Sequence, residues 1–210
     1  MQVAKLLEAA KFHGIFFADV LGVYDIYKGN DAALIAGAQI PILDISLLIS
    51  ALAYNTKHIS FGITASTTYE NPYSLARKFS TLDEISNGRV GWNIVTSFLQ
   101  SAADSFGLEQ QIEHDERYRM ADEFMEVVYK LLESSWEEDA VEANKETGVY
   151  SNPNKVHKIN HDGFASQICR RRGGSKADIE QTVLQMRRPK SRLANRSAYS
   201  IPPASGCIER

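Results

Sequence analysis

Carboxylates, amides, hydroxyls and imidazoles do chemistry only where a fold gathers them, so their place relative to apolar runs is read first. Asp19 closes the run Ile15-Phe16-Phe17-Ala18. A carboxylate there can accept hydrogen bonds from a ligand ring or hydroxyl, or it can cap its own loop. Thr64 closes a second run from Ile59 and is followed by Ser66, Thr67 and Thr68. Those hydroxyls make a polar lip for a phosphate or the edge of a heteroaromatic ring, or a turn that caps the next helix. Asn93 lies within a third run, between Trp92 and Ile94. A buried amide left without a partner costs about 1–3 kcal/mol, and a ligand or a neighbouring strand would each supply one. His114 and Tyr118 stand four apart at the start of a helical pattern. They share a face at a helix N-terminus, where a phosphate is favoured, or they form a surface pair. His13, His58, His157 and His161 lack metal-ligand spacing. No Cys-x-x-Cys, His-Glu-x-x-His or Gly-x-Ser-x-Gly occurs, so metal and serine-nucleophile chemistry have no support.

The elements that must position these groups follow from periodicity. Val3, Leu6, Leu7 and Ala10 have helical spacing over residues 3–12, with Gly14 at the place of a C-cap. The run 15–19 reads as a strand buried on both faces. Residues 20–43 read as a long loop, with at most a short helical turn. A helix over 44–54 starts at Asp44 as N-cap, and a strand covers 59–64. Pro72 opens a helix that stops at Asn87-Gly88. A strand at 90–95, a loop and a long helix over 115–134 complete the pattern. Alternation of strands and helices predicts parallel strands with right-handed crossovers, either a doubly wound sheet or a (β/α)₈ barrel. In both, ligands bind at the carboxyl ends of the strands, where Asp19, Thr64 and Asn93 fall.

The chain has 210 residues and a net charge of −3, which names no partner by itself. The average hides a break near Gly163. Residues 1–163 carry 13 Lys and Arg against 23 Asp and Glu, whereas residues 164–210 carry 10 against 3. The sequence predicts a folded domain over 1–163 and a basic, disordered tail over 164–210. Without interleaved aromatics the tail is a poor nucleic-acid binder. Two cysteines exclude a disulfide framework. No run approaches a membrane span, and no leader pattern opens the chain, so a cytoplasmic protein is expected.

Several motifs resemble one family. They are Gly14-Ile-Phe-Phe-Ala-Asp19 with Gly22, Ser66-Thr-Thr-Tyr69 with Pro72-Tyr73, Ser86-Asn-Gly-Arg89, Gly91-Trp-Asn93 with Val95-Thr-Ser97, and His114 with Arg117-Tyr118. The order is similar to the luciferase-like flavin-dependent monooxygenases, in the branch that acts on nitrilotriacetate, EDTA and dibenzothiophene sulfone. The resemblance implies an α/β fold that is roughly the first half of a (β/α)₈ barrel. A full barrel takes on the order of 250 residues. The strand expected before Val3 and the later phosphate-binding loops are missing from the pattern. It implies reduced FMN supplied by a separate flavin reductase, O₂, and a small organic substrate oxygenated beside nitrogen or sulfur. Asp19, Thr64, Asn93, Thr96, Ser97, His114 and Tyr118 would contact the flavin. Related barrels form dimers or tetramers, so a homo-oligomer fits. Two other readings stand beside this one: a truncated barrel without a competent flavin site, and a deazaflavin-dependent hydride-transfer relative.

Overall fold

The computed structural model describes residues 1–163. The first helix, α1 (Gln2–Ala9), does not end on Gly14. Lys11 takes the left-handed conformation (φ 65°), and the Phe12 and Lys11 amides close back onto the Leu7 and Glu8 carbonyls, both at 3.0 Å. Two end-of-helix hydrogen bonds offset the modest cost of a left-handed lysine. Gly14 instead opens β1 (Gly14–Phe17). In the last turn of α1, one carboxylate oxygen of Glu8 accepts the amides of Lys57, His58 and Ile59 at 2.8, 2.6 and 3.1 Å. Those amides hold the Glu8 pKa down to about 2.

The long segment after β1 contains a full helix, α2 (Gly29–Ala36). Only Ala33 of it is buried, while Leu34 and Ile35 face outward. It therefore carries no amphipathic signal, and periodicity passes over it. Next, α3 (Ile45–Tyr54) is capped by Asp44, whose side chain accepts the Ser46 amide at 2.8 Å. The strand β2 (Ser60–Ser66) runs two residues beyond Thr64. Asn71 caps α4 (Pro72–Ser86), accepting the Tyr73 and Ser74 amides at 3.0 and 3.1 Å. That helix stops at left-handed Asn87. After β3 (Val90–Val95) comes a short helix, α5 (Gln100–Ser105), where a loop was predicted. The long helix α6 (His114–Tyr129) then widens into a π-helical turn at Lys130–Ser134. An antiparallel hairpin, β4 (Val141–Asn144) and β5 (Val149–Ser151), follows it.

The main sheet is parallel, ordered β1-β2-β3. Phe17 lies opposite Ile63, and Thr64 lies opposite Asn93. Alternation sends Phe61 and Ile63 to one face, where they are fully buried with Ile49, Leu75, Phe79 and Phe124 from α3, α4 and α6. Each large side chain so buried stabilises by about 1.5–3 kcal/mol. The other face is open: Phe16 is 63% exposed, and a side chain added at Gly91 would meet nothing within 4 Å.

Arg89 closes the amino-terminal end of this layer. Its Nε donates to the Ser86 carbonyl (2.8 Å). Nη1 donates to Thr56 Oγ1 (3.0 Å) and the Ile59 carbonyl (2.8 Å). Nη2 donates to the carbonyls of Ala53 (2.9 Å) and Thr56 (3.1 Å). All five guanidinium donors are thus used within the protein.

Candidate functional site

Three strand exits and one helix start build the site. Asp19 lies two residues past the end of β1. The loop that carries it is pressed against α5. A Cβ on Gly22 would sit 2.5 Å from the Ala102 amide nitrogen, so only glycine permits this approach. Ser101 completes the join, its hydroxyl donating to the Val23 carbonyl (2.5 Å) and its amide to Asp25 (3.2 Å). The Asp19 carboxyl is pushed above the ordinary range, first by burial and then by the nearby charge of Asp44.

At the exits of β2 and β3, the register pairs Thr64 with Asn93, and Asn93 Nδ2 donates to Thr64 Oγ1 at 3.0 Å. The neighbouring strand therefore satisfies half of the amide. Among the described residues, Asn93 Oδ1 and the Thr64 hydroxyl hydrogen have no side-chain partner. Ser66 and Ser97 line the cavities at the strand exits, and none of these hydroxyls caps α4. Thr67 donates to the Val95 carbonyl (3.3 Å), Thr68 to the Thr96 carbonyl (2.5 Å), and Ser97 to Ser66 Oγ (2.9 Å). They stitch β2 to the β3 exit and hold Ser97 in a left-handed conformation (φ 55°), a strained backbone at the carboxyl end of a parallel strand.

At the α6 start, the His114 and Tyr118 rings lie 4.8 Å apart, tilted by 40°. His114 Nδ1 is 2.8 Å from Asp115. Between the two rings in sequence is Arg117, which is only 8% exposed. Its Nη1 donates to the Ile112 carbonyl, while its buried Nε has no acceptor. Sequence reasoning passed over this residue because arginine is rarely buried. Its position three after His114, on the same helix face, is the signal that would have found it.

These parts line one open cleft of about 1140 Å³, walled by Asp19, Thr64, Asn93, Thr96, Ser97, His114 and Tyr118 together with Arg117. All seven residues named from the sequence line it. A second cavity, about 690 Å³, adjoins it across Asp19, Leu21, Thr64 and Ser97. Among the described residues no cluster of three or more His, Cys, Asp or Glu is placed to hold a metal ion. No helix there is long and apolar enough to cross a membrane. The residues 164–210, expected as a basic tail, lie outside the described residues.

A parallel strand–helix layer with an acid, an amide and hydroxyls at its strand exits is an α/β arrangement, and both barrels and doubly wound sheets bind ligands at that end. A profile of the luciferase-like monooxygenases matches residues 1–163, and the chain belongs to that family. It is 53% identical over 163 residues to the long-chain alkane monooxygenase of Geobacillus thermodenitrificans, covering 77% of this chain and 37% of that protein. It is 53% identical over 162 residues to the dimethyl-sulfide monooxygenase of Hyphomicrobium sulfonivorans, covering 77% and 34%. A crystal structure of long-chain alkane monooxygenase superposes with a TM-score of 0.74 over 77% of this chain and 38% of that one. A riboflavin lyase crystallised with modified FMN and riboflavin is 42% identical, with a TM-score of 0.71 over 77% of this chain and 36% of that one. The chain spans about a third of the length of these relatives. The described residues are thus part of a luciferase-like (β/α)₈ barrel.

Proposed function

We propose that the protein is the flavin-holding part of a two-component FMN-dependent monooxygenase. It would receive reduced FMN from a separate flavin reductase and use O₂ to oxygenate a small organic substrate beside nitrogen or sulfur. The observation that carries this reading is the convergence of Asp19, Thr64, Asn93, Thr96, Ser97, His114 and Tyr118 on one cavity. The cavity is large enough for a cofactor of this size. The donor set suits the group: Asn93 Oδ1 and the Thr64 hydroxyl hydrogen, both on residues of the cavity lining, suit a ring edge rich in N–H and C=O groups. Arg117, a cation in the cavity lining, would supply a guanidinium to a phosphate.

When bound, reduced flavin supplies the electrons that activate O₂. The chain's own residues bind and orient. Thr64 and Asn93, paired across the sheet, would hold the flavin ring by hydrogen bonds. Asp19, at the β1 exit in the cavity lining, would accept a hydrogen bond from a flavin N–H. The apolar packing of Val20, Leu21 and Tyr24 against Tyr69, Leu99 and Ala102 excludes water from one wall. Fluorescence titration of the full chain with FMN tests the reading. Saturable micromolar binding is expected, weakened about tenfold in Asn93→Ala, which loses one hydrogen bond to the ring. Absence of saturable binding contradicts it.

One observation favours a second reading, a barrel fragment without a competent flavin site. The sheet's inner face is bare, with Phe16 63% exposed. The same titration separates the two.

A further inference from the structure

We propose that His161 is a proton-controlled switch that holds or releases the ammonium of Lys130 at the cleft wall. The inference stands apart from the flavin reading, because it needs no ligand and its parts contact one another directly.

Glu123, Glu126 and Lys130 stand at i, i+3 and i+7, so the end of α6 and the first residue of the π-helical turn present them on one face. His161 lies across that face with 8% of its side chain exposed. Its Nε2 is 3.1 Å from a Glu123 oxygen, and its Nδ1 is 3.4 Å from Lys130 Nζ. A side chain at Gly163 would run into both the Glu123 carboxylate and the imidazole, so glycine lets the chain close over this pair. Lys130 and Glu126, joined at 2.5 Å, line the cleft.

These partners fix the protons of the ring. An ionised carboxylate only accepts, so Nε2 carries its hydrogen toward Glu123. An ammonium only donates, so Nδ1 offers its lone pair to Lys130. The imidazole is neutral in this arrangement, with both nitrogens in use. One proton from solvent reverses Nδ1. As a donor facing an ammonium it loses its partner and meets a like charge. Glu126 Oε1, 3.9 Å from the same nitrogen, is the acceptor within reach. Glu126 then exchanges Lys130 for the imidazolium, and Lys130 turns its charge to the cleft. The surroundings suit both states. From α6 the ring meets two acids, Glu123 and Glu126, and from the π-helical turn one cation, Lys130. Its own segment adds Lys158 and Asp162. On the hairpin side, Glu137 and Asp139 are taken by His157 and Lys155. Imidazole is the side chain fitted to such a role, because its ordinary charge change falls between about pH 5 and 8.

The test is lysine acetylation of the full chain, read residue by residue by mass spectrometry and expressed relative to Lys145, an exposed lysine in the hairpin turn. Between about pH 8 and about pH 5.5, on either side of the imidazole range, the Lys130 ratio should rise. The expected rise is about fivefold, the worth of one hydrogen bond. Lys155 and Lys158, in the segment that carries His161, should keep their ratios. His161→Asn has an oxygen to accept from Lys130 and no site for the extra proton, so its Lys130 ratio should be the same at both pH values. A ratio that stays flat in the native chain overturns the proposal and needs no variant to do so. A rise that persists in His161→Asn overturns it as well. So does a rise shared by Lys155 and Lys158, which would mean that the whole segment lifts off α6.

Discussion

Two buried or half-buried arginines, at different places in the same layer, follow opposite rules. Arg89 places five donors on five protein oxygens around the ends of α3 and α4 and the start of β2. Arg117 has its Nη1 on the Ile112 carbonyl and a buried Nε without an acceptor at the cavity wall. The first arrangement is complete without anything else. The second, in a side chain that is 8% exposed, puts a cation with a buried, unpaired Nε in the lining of the cavity. The difference separates what holds the fold from what meets a ligand, although both residues lie in motifs with the same family resemblance.

The largest effect that would sharpen this contrast is expected at the self-satisfied end. Arg89→Met should strand several carbonyls and lower unfolding free energy by about 2–4 kcal/mol, read by chemical denaturation. A loss below 0.5 kcal/mol, roughly the ordinary scatter of surface substitutions, would break the contrast. Gly22→Ala comes next. The new methyl group would meet the α5 backbone, for a cost of about 1–3 kcal/mol. The β1 exit should move away from the cavity, so FMN affinity should fall with stability; affinity preserved beside a stability loss would detach Gly22 from the site.

At the ligand-facing end, Asn93→Ala should cost little stability and weaken FMN about tenfold, the reverse of Arg89→Met. Equal losses of stability and affinity in both variants would erase the distinction. The smallest effect concerns Glu8. Its folded pKa of about 2 lies below the ordinary value of 4.5, so its contribution is fully present above about pH 4.5 and is lost as pH falls toward 2. The melting temperature of Glu8→Gln should therefore differ from that of the native chain near pH 6 and converge on it near pH 2. A difference independent of pH would show that the carboxylate charge is not what holds the turn before β2.

Sequence patterns exposed the elements whose burial is one-sided and whose caps are local. Asp44, Asn71 and Asn87 begin or end their helices by hydrogen bonds within a few residues, and Phe61 and Ile63 alternate as a buried strand should. What stayed hidden is what depends on distant contacts. The helix α2 has too little buried surface to show a period, and α5 is six residues long with three of them buried small residues. The carboxyl ends of the strands pointed to Asp19, Thr64 and Asn93 before any coordinates did. The roles of the hydroxyls at Ser66, Thr67 and Thr68 did not follow from their spacing, because their partners lie about 30 residues away on the β3 exit. Arg117 was legible only as a motif letter, since burial of a cation is a tertiary property.

The central claim is that the polar groups lining the cavity at the strand exits and the α6 start hold one flavin. The most direct measurement is the ratio of FMN to riboflavin affinity in the native chain and in Arg117→Met. FMN should bind at least about tenfold more tightly in the native chain, the worth of one charge-assisted contact to the phosphate, with the ratio falling toward one in the variant. Equal affinities in the native chain, or a preference that survives the loss of Arg117, would contradict the account.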